Sequence, residues 1–588
     1  MRKPILNKIL SLVVGAVVGL SALTGHAETE LAENFDKSRF MTVNEIPTQI
    51  AEWIYFEQLV NLRFTGTIFA PLDHSGLDPR FDPFNRPVIQ MGYLEIPVEK
   101  ASFRIDKSLL PESARRVLFF KRGGVEYIRH FVHPLMENKY ADEAKLYGET
   151  YVDSKGKTKS RLKYGEFGAT LSSSMRSWVI WSLKNPTDFI GEKTSIAVVV
   201  GMDRKNDVDK LERANAITQV TKEIPAKDKK TYGFDMLVEP VTQNTATTKG
   251  GKHYGNITRV FPTMAHANGK PRFIPGFSLT SPDPKGGLPL LVQMIEASGL
   301  PAEEYIAKNI IEPLVRSYAY LTFQHGIVGE PHQQNVLFEL NEKGQLTGRV
   351  LYRDLDAFKP DIELRHLRNL SDEPFLGAKR PFKLLKMGKA EHDYRRSYMS
   401  YVKGAWAESM ENMIAQFKNQ VPALASATEL PELFDKTLLT ELVRHMGFEA
   451  VIDSANMAAS EELERLERQR EQKDKAFDAD RLTVVRDLVK EGTLGAFVAQ
   501  NQAKLSSLVP GVNWDVRPLK LSKAQAELVI NSFTVNELFL RNYRNTATTY
   551  IFDLNRVVEK FKDVNVQKAQ SNVSQSVLRK EFERLAFN

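Results

Sequence analysis

Residues 325–356 hold the polar side chains whose types and spacing point most directly to chemistry. The segment HGIVGEPHQQNVLFELNEKGQLTGRVLYRDLD presents a polar loop, two strand-like runs, and then Arg353 and Asp354. The loop contributes four polar side chains: Glu330, His332, Gln334 and Asn335. Kinase-like sites place an Asn at the end of a loop and an Asp after the following strand, and the two hold magnesium against the phosphates. The pattern therefore indicates a nucleotide and metal site; the alternative is a polar loop beside a surface hairpin.

The loop lacks an aspartate that would deprotonate an acceptor hydroxyl. Phosphotransferases carry such an aspartate in the loop that ends at the Asn. Here His332, Gln333 and Gln334 occupy the middle of the loop instead. These residues therefore favour binding of ATP and a metal ion over phosphoryl transfer to a hydroxyl.

A β-hairpin and several helices must position these side chains. The strand-like runs are 335–340 and 345–352, and the turn between them covers 341–344. A hairpin would bring the loop and the Arg-Asp pair to the same end of two adjacent strands. Apolar spacing predicts two helices over 288–324 and another helix over 44–60.

Composition places the chain among ordinary globular proteins and excludes several kinds of site. The 588 residues are 42% apolar and 26% charged, and this length predicts about three to five domains or one multi-lobed enzyme. The chain has no cysteine, which excludes disulfides, zinc–thiolate sites, iron–sulfur clusters and a cysteine nucleophile. Any metal must use oxygen or imidazole ligands. The net charge of +7 is a weak excess for this length, so we expect no nucleic-acid partner.

The first 27 residues have the pattern of a secretory signal peptide. Three basic residues precede an apolar run over 9–23, and small residues stand at 25 and 27. This order predicts export, to the periplasm, with cleavage after residue 27. An uncleaved anchor is the alternative, although the run is shorter than the ~20 residues that span a bilayer. After cleavage we expect no membrane span.

The motifs resemble those of a known enzyme family. HGIVGEPHQQNVLFEL followed by GRVLYRD is similar to the C-terminal ATP-binding motif of the siderophore synthetases that work independently of nonribosomal peptide synthetases, the IucA/IucC aerobactin synthetase type with a ferric-iron-reductase-like (FhuF-like) C-terminal part. The resemblance implies an α+β fold shaped like a cupped hand. Its predicted parts are an N-terminal thumb over 28–165, strand-rich fingers over 166–285, and a largely helical palm with a kinase-like hairpin over 286–588.

The family resemblance also implies a reaction. Such enzymes use ATP and Mg²⁺ to adenylate a carboxylate of citrate or a related polycarboxylic acid, and then condense it with an amine or hydroxyl. The resemblance implies that Asp354 binds the metal, together with Asn335 or Glu330. It gives His332 a catalytic role and Gln334 a contact with the nucleotide. A homodimer is left open.

A second family motif, Ser-x-Arg-Thr with a following Lys and Arg, is present with one change. Ser174, Arg176 and Ser177 match it, with serine in place of threonine. Lys193 is predicted to open a strand that runs to residue 200, and Arg204 follows that strand. The resemblance implies that the two hydroxyls and three cations cradle the triphosphate, where cations neutralise the departing pyrophosphate.

A third family motif, His-Pro-x-His-Pro-x-x-Lys, is only partly present. His130 and His133 are kept, but Glu137 occupies the lysine position and Lys139 lies two residues further on. The resemblance implies a nucleotide contact for His133.

Export leaves a second function open. A periplasmic enzyme has little ATP, so the chain is alternatively an exported, degenerate relative that binds a polycarboxylate, a siderophore or a nucleotide without ligase turnover. The changed histidine motif favours this alternative, and the retained ATP-site residues favour catalysis. An envelope structural protein is a third hypothesis.

Overall fold

The structure is a computed structural model. It describes residues 35–61, 79–196, 208–244, 255–281, 284, 286–329, 331–360, 365, 369–376, short stretches between 421 and 486, 493–514 and 521–533. The predicted signal peptide, strand residues 197–200, Arg204 and Glu330 lie outside the described residues. No helix among the described residues has both the length and the apolar character needed to cross a membrane.

The strands are, in chain order, β1 (Val88–Gln90), β2 (Gly92–Pro97), β3 (Ser102–Ile105), β4 (Phe119–Arg122), β5 (Val125–Val132), β6 (Glu149–Val152), β7 (Thr158–Arg161), β8 (Phe167–Leu171), β9 (Ser177–Ser182), β10 (Phe189–Lys193), β11 (Phe234–Met236), β12 (Val241–Asn244), β13 (Gly255–Arg259), β14 (Phe273–Pro275), β15 (Ile327–Val328), β16 (Val336–Leu340), β17 (Leu346–Tyr352) and β18 (Lys359–Pro360).

The helices are, in chain order, α1 (Thr48–Gln58), α2 (Glu112–Leu118), α3 (Ala141–Tyr147), α4 (Val208–Glu223), α5 (Ala226–Tyr232), α6 (Phe277–Thr280), α7 (Leu290–Ser298), α8 (Ala302–Ile306), α9 (Glu312–His325), α10 (Glu373–Leu376), α11 (Thr493–Leu508) and α12 (Lys523–Ser532). A π-helical turn, Ala307–Ile311, joins α8 to α9.

The two largest sheets carry the site described below. One is antiparallel, with the order β1-β8-β9-β10-β13-β12-β3. The other has the order β11-β17-β16-β14, in which β11 runs parallel to β17 and the remaining pairs are antiparallel. A third sheet, β2-β5-β4, shares a core with one face of the antiparallel sheet. The protein is therefore a mixed α/β protein with several sheets.

Helix α1 packs where the two largest sheets meet. One core cluster joins Ile50 and Trp53 of α1 with Trp181 of β9 and Leu351 of β17. The Trp53 ring also lies 4.8 Å, centroid to centroid, from the ring of Phe261. Full burial of such large apolar side chains stabilises the fold by about 2–3 kcal/mol each. The helix thereby packs against both sheets.

The predicted hairpin is confirmed as β16 and β17. The turn is closed by Asn341, whose Oδ1 accepts hydrogen bonds from the backbone N–H groups of Lys343 and Gln345, both at 3.0 Å. Gly344 completes the turn with φ +81°, which a side chain would strain. Every residue of β16 is buried. The alternative of a surface hairpin is therefore wrong, because β14 and β17 flank β16 on both sides.

One feature of the antiparallel sheet corrects the sequence-based description. Lys193 ends β10 instead of opening a strand. A charged residue is unusual inside a buried strand, and Lys193 is therefore predicted at the start of one. The lysine can instead be buried at the end of β10 because two carboxylates pair with it. The antiparallel sheet includes β1 and β3, which precede residue 165. The four-stranded sheet that contains the hairpin β16–β17 also includes β11 and β14, which precede residue 285. Strand pairing therefore crosses both predicted boundaries, at 165 and at 285, while the thumb, fingers and palm arrangement stays a prediction.

Candidate active site

Lys193 and Asp354 meet at the junction of the two largest sheets. The Nζ atom of Lys193 lies 2.5 Å from Oδ1 of Asp354 and 2.6 Å from Oδ1 of Asp356. The side chains of Lys193 and Asp356 are each 5% exposed, whereas that of Asp354 is 29% exposed. Lys193 thus pairs with one buried carboxylate, Asp356, and with one partly exposed carboxylate, Asp354.

Asp354 has a strained backbone conformation. It follows β17 with φ 68° and ψ 58°, in the left-handed region that non-glycine residues rarely adopt. This conformation costs on the order of 1–2 kcal/mol and persists where surrounding contacts impose it. Here the contacts from Lys193 and Arg259 to the carboxylate impose it. Strain of this kind concentrates at functional sites.

Arg259 supplies a second cation to the same carboxylate. Its Nη2 atom donates to Oδ1 of Asp354 at 3.2 Å and to Oε1 of Glu239 at 2.6 Å, and its Nε atom donates to the same Glu239 oxygen at 3.1 Å. Arg259 lies on β13, opposite Gly191 of β10. Neighbouring strands of one sheet thus present Lys193 and Arg259 side by side.

These pairings determine the charge states. Burial alone would raise the pKa of Asp354, but Lys193, Arg259 and Arg176 hold it well below its ordinary value. Burial alone would lower the pKa of Lys193, but Asp354 and Asp356 raise it above its ordinary value. Burial raises the pKa of Glu239 to about 7, against the opposing charge of Arg259. Asp354 and Lys193 therefore stay charged at neutral pH.

A narrow cleft opens beside these charges. Its polar lining includes hydroxyl-bearing and cationic residues, Ser172, Ser177, Lys193, Arg259 and Arg353, and one residue with a carboxyl group, Glu192. Its apolar wall includes the rings of Trp53 and Phe261, which contact each other at an interplanar angle of 59°. Phe261 comes this close because Gly191 has no side chain; a Cβ there would lie 2.7 Å from the Phe261 ring. Hydroxyls beside guanidinium and ammonium groups suit a ligand that carries phosphate or carboxylate oxygens.

The structure brings the loop between β8 and β9 to this cleft. This loop holds Ser174 and Arg176, and Ser177 begins β9. The Arg176 carbonyl accepts hydrogen bonds from the backbone N–H of Thr194 at 2.8 Å and from its hydroxyl at 3.2 Å. Ser174 contributes its carbonyl to the Ser177 N–H at 3.1 Å. Arg176 is 6% exposed, and its charge acts on both Asp354 and Lys193.

The hairpin end supplies the remaining predicted residues. The Arg353 N–H donates to the Asn335 carbonyl at 3.0 Å, so Asn335 stands opposite Arg353 and next to Asp354. Within the described part of the chain, the Asn335 amide side chain makes no hydrogen bond. The His332 ring accepts the Gln334 N–H at Nδ1, over 3.3 Å, and burial lowers the pKa of His332 to about 4. His332 is therefore neutral at pH 7.

The two histidines of the third motif are buried between the sheets. Nε2 of His133 donates to the Met175 carbonyl at 2.9 Å, and its Nδ1 accepts the Leu135 N–H at 3.1 Å. Burial lowers the pKa of both His130 and His133 to about 4. Both ring nitrogens of His133 are thus used within the chain, and the predicted nucleotide contact stays a prediction. What His133 does in the structure is hold the residue that precedes Arg176.

Four residues of this site did not stand out in the sequence: Glu57, Glu239, Arg259 and Asp356. Asp356 lies two residues after Asp354, and Arg259 is a single charge inside the apolar run 257–261. A charge inside an apolar strand was the available signal for Arg259. Glu57 and Glu239 gave no signal, because their sequence neighbours do not show what they contact.

The residues present fit the magnesium ion that the family resemblance implies. Oδ1 of Asp354 accepts hydrogen bonds from Lys193 and Arg259, while within the described residues Oδ2 accepts no hydrogen bond. Mg²⁺ is usually held by one or two protein oxygens together with phosphates and water, and Oδ2 of Asp354 with the Asn335 amide oxygen meets that need. No group of three or more His, Asp or Glu in the described part of the chain is arranged to hold a metal alone. A metal shared with phosphates is the arrangement that fits.

Comparisons with known proteins agree with the motifs. The family model described as the ferric iron reductase FhuF-like transporter matches residues 307–399, which include His332, Asn335 and Asp354. None of the curated proteins matches the sequence. The solved structures found to be similar include two aerobactin synthetases and a petrobactin biosynthesis protein. The predicted resemblance is confirmed.

The three structures differ in how much of each chain is matched. ATP-bound aerobactin synthetase IucA from a hypervirulent pathotype of Klebsiella pneumoniae is 14% identical, with a TM-score of 0.46, over 74% of this chain and 78% of that chain. Petrobactin biosynthesis protein AsbB from Bacillus anthracis str. Sterne is 15% identical, with a TM-score of 0.46, over 67% of each chain. Aerobactin synthetase IucC from the same Klebsiella pathotype is 16% identical, with a TM-score of 0.41, over 62% of this chain. This chain spans 64% of IucC, less than two thirds of its length.

Proposed function

We propose that the protein is an ATP-dependent ligase of the siderophore synthetase type, which joins a carboxylate of citrate or a related polycarboxylic acid to an amine or hydroxyl. One observation carries the proposal: the ion pair between Lys193 and Asp354, 161 residues apart in sequence. It joins the Ser-x-Arg and Lys motif on one sheet to the Asn and Arg-Asp motif on the other. Two separately weak sequence signals thereby form a single site.

Some site residues would hold the metal, and others would bind the phosphates. Oδ2 of Asp354 and the amide oxygen of Asn335 would hold the magnesium ion, which when bound supplies positive charge to the phosphate oxygens. Arg176 and Lys193 would stabilise the negative charge that builds up on pyrophosphate as it leaves. Arg259 adds a third cation, and the predicted role of Arg204, which lies outside the described residues, stays a prediction.

The neutral state of His332 limits its role. Because burial lowers its pKa to about 4, the ring is not an imidazolium at pH 7 and cannot act as a cationic general acid. It can accept or donate a hydrogen bond and so orient the nucleotide or the reacting carboxylate, as predicted. Since the loop also lacks an aspartate base, attack by a carboxylate, which needs no deprotonation, suits this site better than attack by a hydroxyl.

The proposal predicts the nucleotide product. With Mg-ATP, hydroxylamine and a panel of citrate-like acids, the protein should form a hydroxamate and AMP in equal amounts, together with pyrophosphate, because attack occurs at the α-phosphorus. Chromatography of the nucleotides and a colorimetric hydroxamate assay measure both products. ADP as the product would contradict this mechanism.

A second candidate function is binding without ligase turnover. The observation that favours it is the internal pairing of the cations: Lys193 with Asp354 and Asp356, and Arg259 with Glu239. Such pairing leaves less positive charge for phosphates than the sequence motifs indicate. Calorimetry that shows tight binding of a polycarboxylate or siderophore, in a protein that forms no AMP, would support this candidate over the ligase.

We also propose that the protein is exported to the periplasm after cleavage of its signal peptide. Protein isolated from the native host should begin at Glu28, as the small residues before it predict. N-terminal sequencing of the periplasmic fraction checks this. A protein that begins at Met1 or Arg2 and stays in the cytoplasm would contradict export and remove the main objection to an ATP-dependent ligase.

A further inference from the structure

Glu57 lies in neither sequence motif, yet it contacts Arg353 of one motif and the residue just before the other, Ser173. It is the penultimate residue of α1 and its side chain is fully buried. Its Oε1 atom accepts from Nη1 of Arg353 at 2.5 Å, and its Oε2 atom accepts from the backbone N–H of Ser173 at 3.3 Å. Arg353 adjoins Asp354, and Ser173 belongs to the loop that carries Arg176. One carboxylate therefore connects the two halves of the site.

All three guanidinium nitrogens of Arg353 donate hydrogen bonds to other groups of the protein. Besides the bond to Glu57, its Nε donates to the Gln334 carbonyl at 2.6 Å and its Nη2 donates to the Ser173 hydroxyl at 3.3 Å. Its side chain is 6% exposed. An arginine with these commitments is a poor phosphate ligand. Its planar fork instead holds three groups in one fixed geometry.

The next residue of α1 fastens the same loop. Nε2 of Gln58 donates to the Leu171 carbonyl at 2.7 Å and to the Thr170 hydroxyl at 3.1 Å, both at the end of β8 where the loop starts. Trp53, one turn earlier, anchors the helix in the core. The end of α1 is thus a rigid support on which the loop and the hairpin end are both fixed.

We propose that Glu57 is a positioning residue: with Arg353 it sets the distance between the Arg176 loop and the Asp354 end of the hairpin, and so keeps the site in register for its anionic ligand. This inference rests on the proposed function for the identity of the ligand, a nucleoside triphosphate with its metal. The contacts that define the role are within the protein and can be tested without any ligand.

The first test measures backbone hydrogen exchange in the full-length protein. Glu57→Gln places an NH₂ group against the Ser173 N–H, because a glutamine has only one oxygen to offer. Amide exchange in residues 172–177 and 333–335 should rise more than tenfold. The control is Asp188→Asn, which removes a buried carboxylate from the Arg116 pair at the opposite end of β10 and should leave both segments unchanged. Equal exchange in the two variants would overturn the proposal.

The second test separates positioning from stability. Isothermal calorimetry with Mg-ATP should show a Kd raised more than tenfold in Glu57→Gln and unchanged in Asp188→Asn. Partial unfolding would lower the number of binding sites and leave Kd unchanged, so a changed stoichiometry with the wild-type Kd would overturn the proposal. If the wild-type protein binds no Mg-ATP, the proposed function fails while the exchange test still decides the role of Glu57.

A double variant gives the sharpest contrast. Replacing both partners of a buried ion pair by apolar side chains of similar volume leaves no uncompensated charge, so Glu57→Leu with Arg353→Met should stay folded and lose less stability than Glu57→Leu alone. The positioning role predicts that its fast exchange in 172–177 and its weak Mg-ATP binding remain. Wild-type exchange and affinity in this folded double variant would show that the pair only stabilises the fold.

Discussion

Replacing Lys193 by methionine is expected to destabilise the protein by about 3–5 kcal/mol, the largest effect of any single substitution at the site. The change removes the cation that pairs with both Asp354 and Asp356 and keeps a side chain of similar length. Removing one partner of a buried ion pair leaves the other charge buried and uncompensated, which accounts for this magnitude. Urea unfolding followed by circular dichroism measures the loss of stability.

Two variants serve as comparisons for Lys193→Met. Lys229→Met breaks a partly exposed pair with Asp235 and should cost less than about 1 kcal/mol. Asp354→Asn keeps an oxygen that can accept from Lys193, so it should remain folded but weaken metal-dependent nucleotide binding by more than tenfold. A Lys193→Met protein that unfolds at the wild-type urea concentration would show that the two aspartates do not depend on Lys193.

The parts of the site that the sequence predicted are local in the chain. The hairpin, its turn and the placement of Asn335 beside Asp354 follow from alternating apolar residues and a turn signal within 341–344, all inside a short segment. Helix α1 likewise follows from apolar spacing. Local patterns suffice here because each residue's partner lies a few positions away.

The parts that the sequence did not predict depend on distant partners. Strand β11 pairs with β17, and β3 pairs with β12, across segments that no periodicity connects. Buried charges are harder still. Glu57 and Glu239 look like surface glutamates, and only their contacts with Arg353 and Arg259 explain their burial. A single sequence shows the residue type but not its partner.

Glu192 is expected to make the stability of the protein depend on pH. It is 1% exposed and lies on the face of β10 opposite to Lys193. Its Oε2 atom accepts from the Thr258 hydroxyl at 2.7 Å, while Oε1 has no hydrogen-bond partner within the described residues. Burial raises the pKa of Glu192 to about 8. The side chain is therefore mostly protonated at neutral pH.

The direction of the effect follows from proton linkage. Because the folded-state pKa lies above the unfolded value near ~4.3, the folded protein binds this proton more tightly than the unfolded chain between these two values. Its stabilising contribution is complete below about pH 4 and is lost as the pH rises through 8. By pH 9 the difference amounts to on the order of 5 kcal/mol, since each pKa unit corresponds to ~1.4 kcal/mol.

Substitution by an uncharged isostere isolates this effect. Glu192→Gln should be more stable than the wild type at pH 9 by on the order of 5 kcal/mol, and within about 1 kcal/mol of it at pH 5. The buried His130, His133 and His332, whose pKa values are about 4, lower the stability of both proteins alike below pH 6.5, so they cancel in the comparison. Glu112→Gln, at an exposed glutamate, should unfold like the wild type at both pH values. If Glu192→Gln is the less stable protein at pH 9, the carboxylate is ionised and stabilised by its surroundings, and the neutral state assigned to Glu192 is wrong.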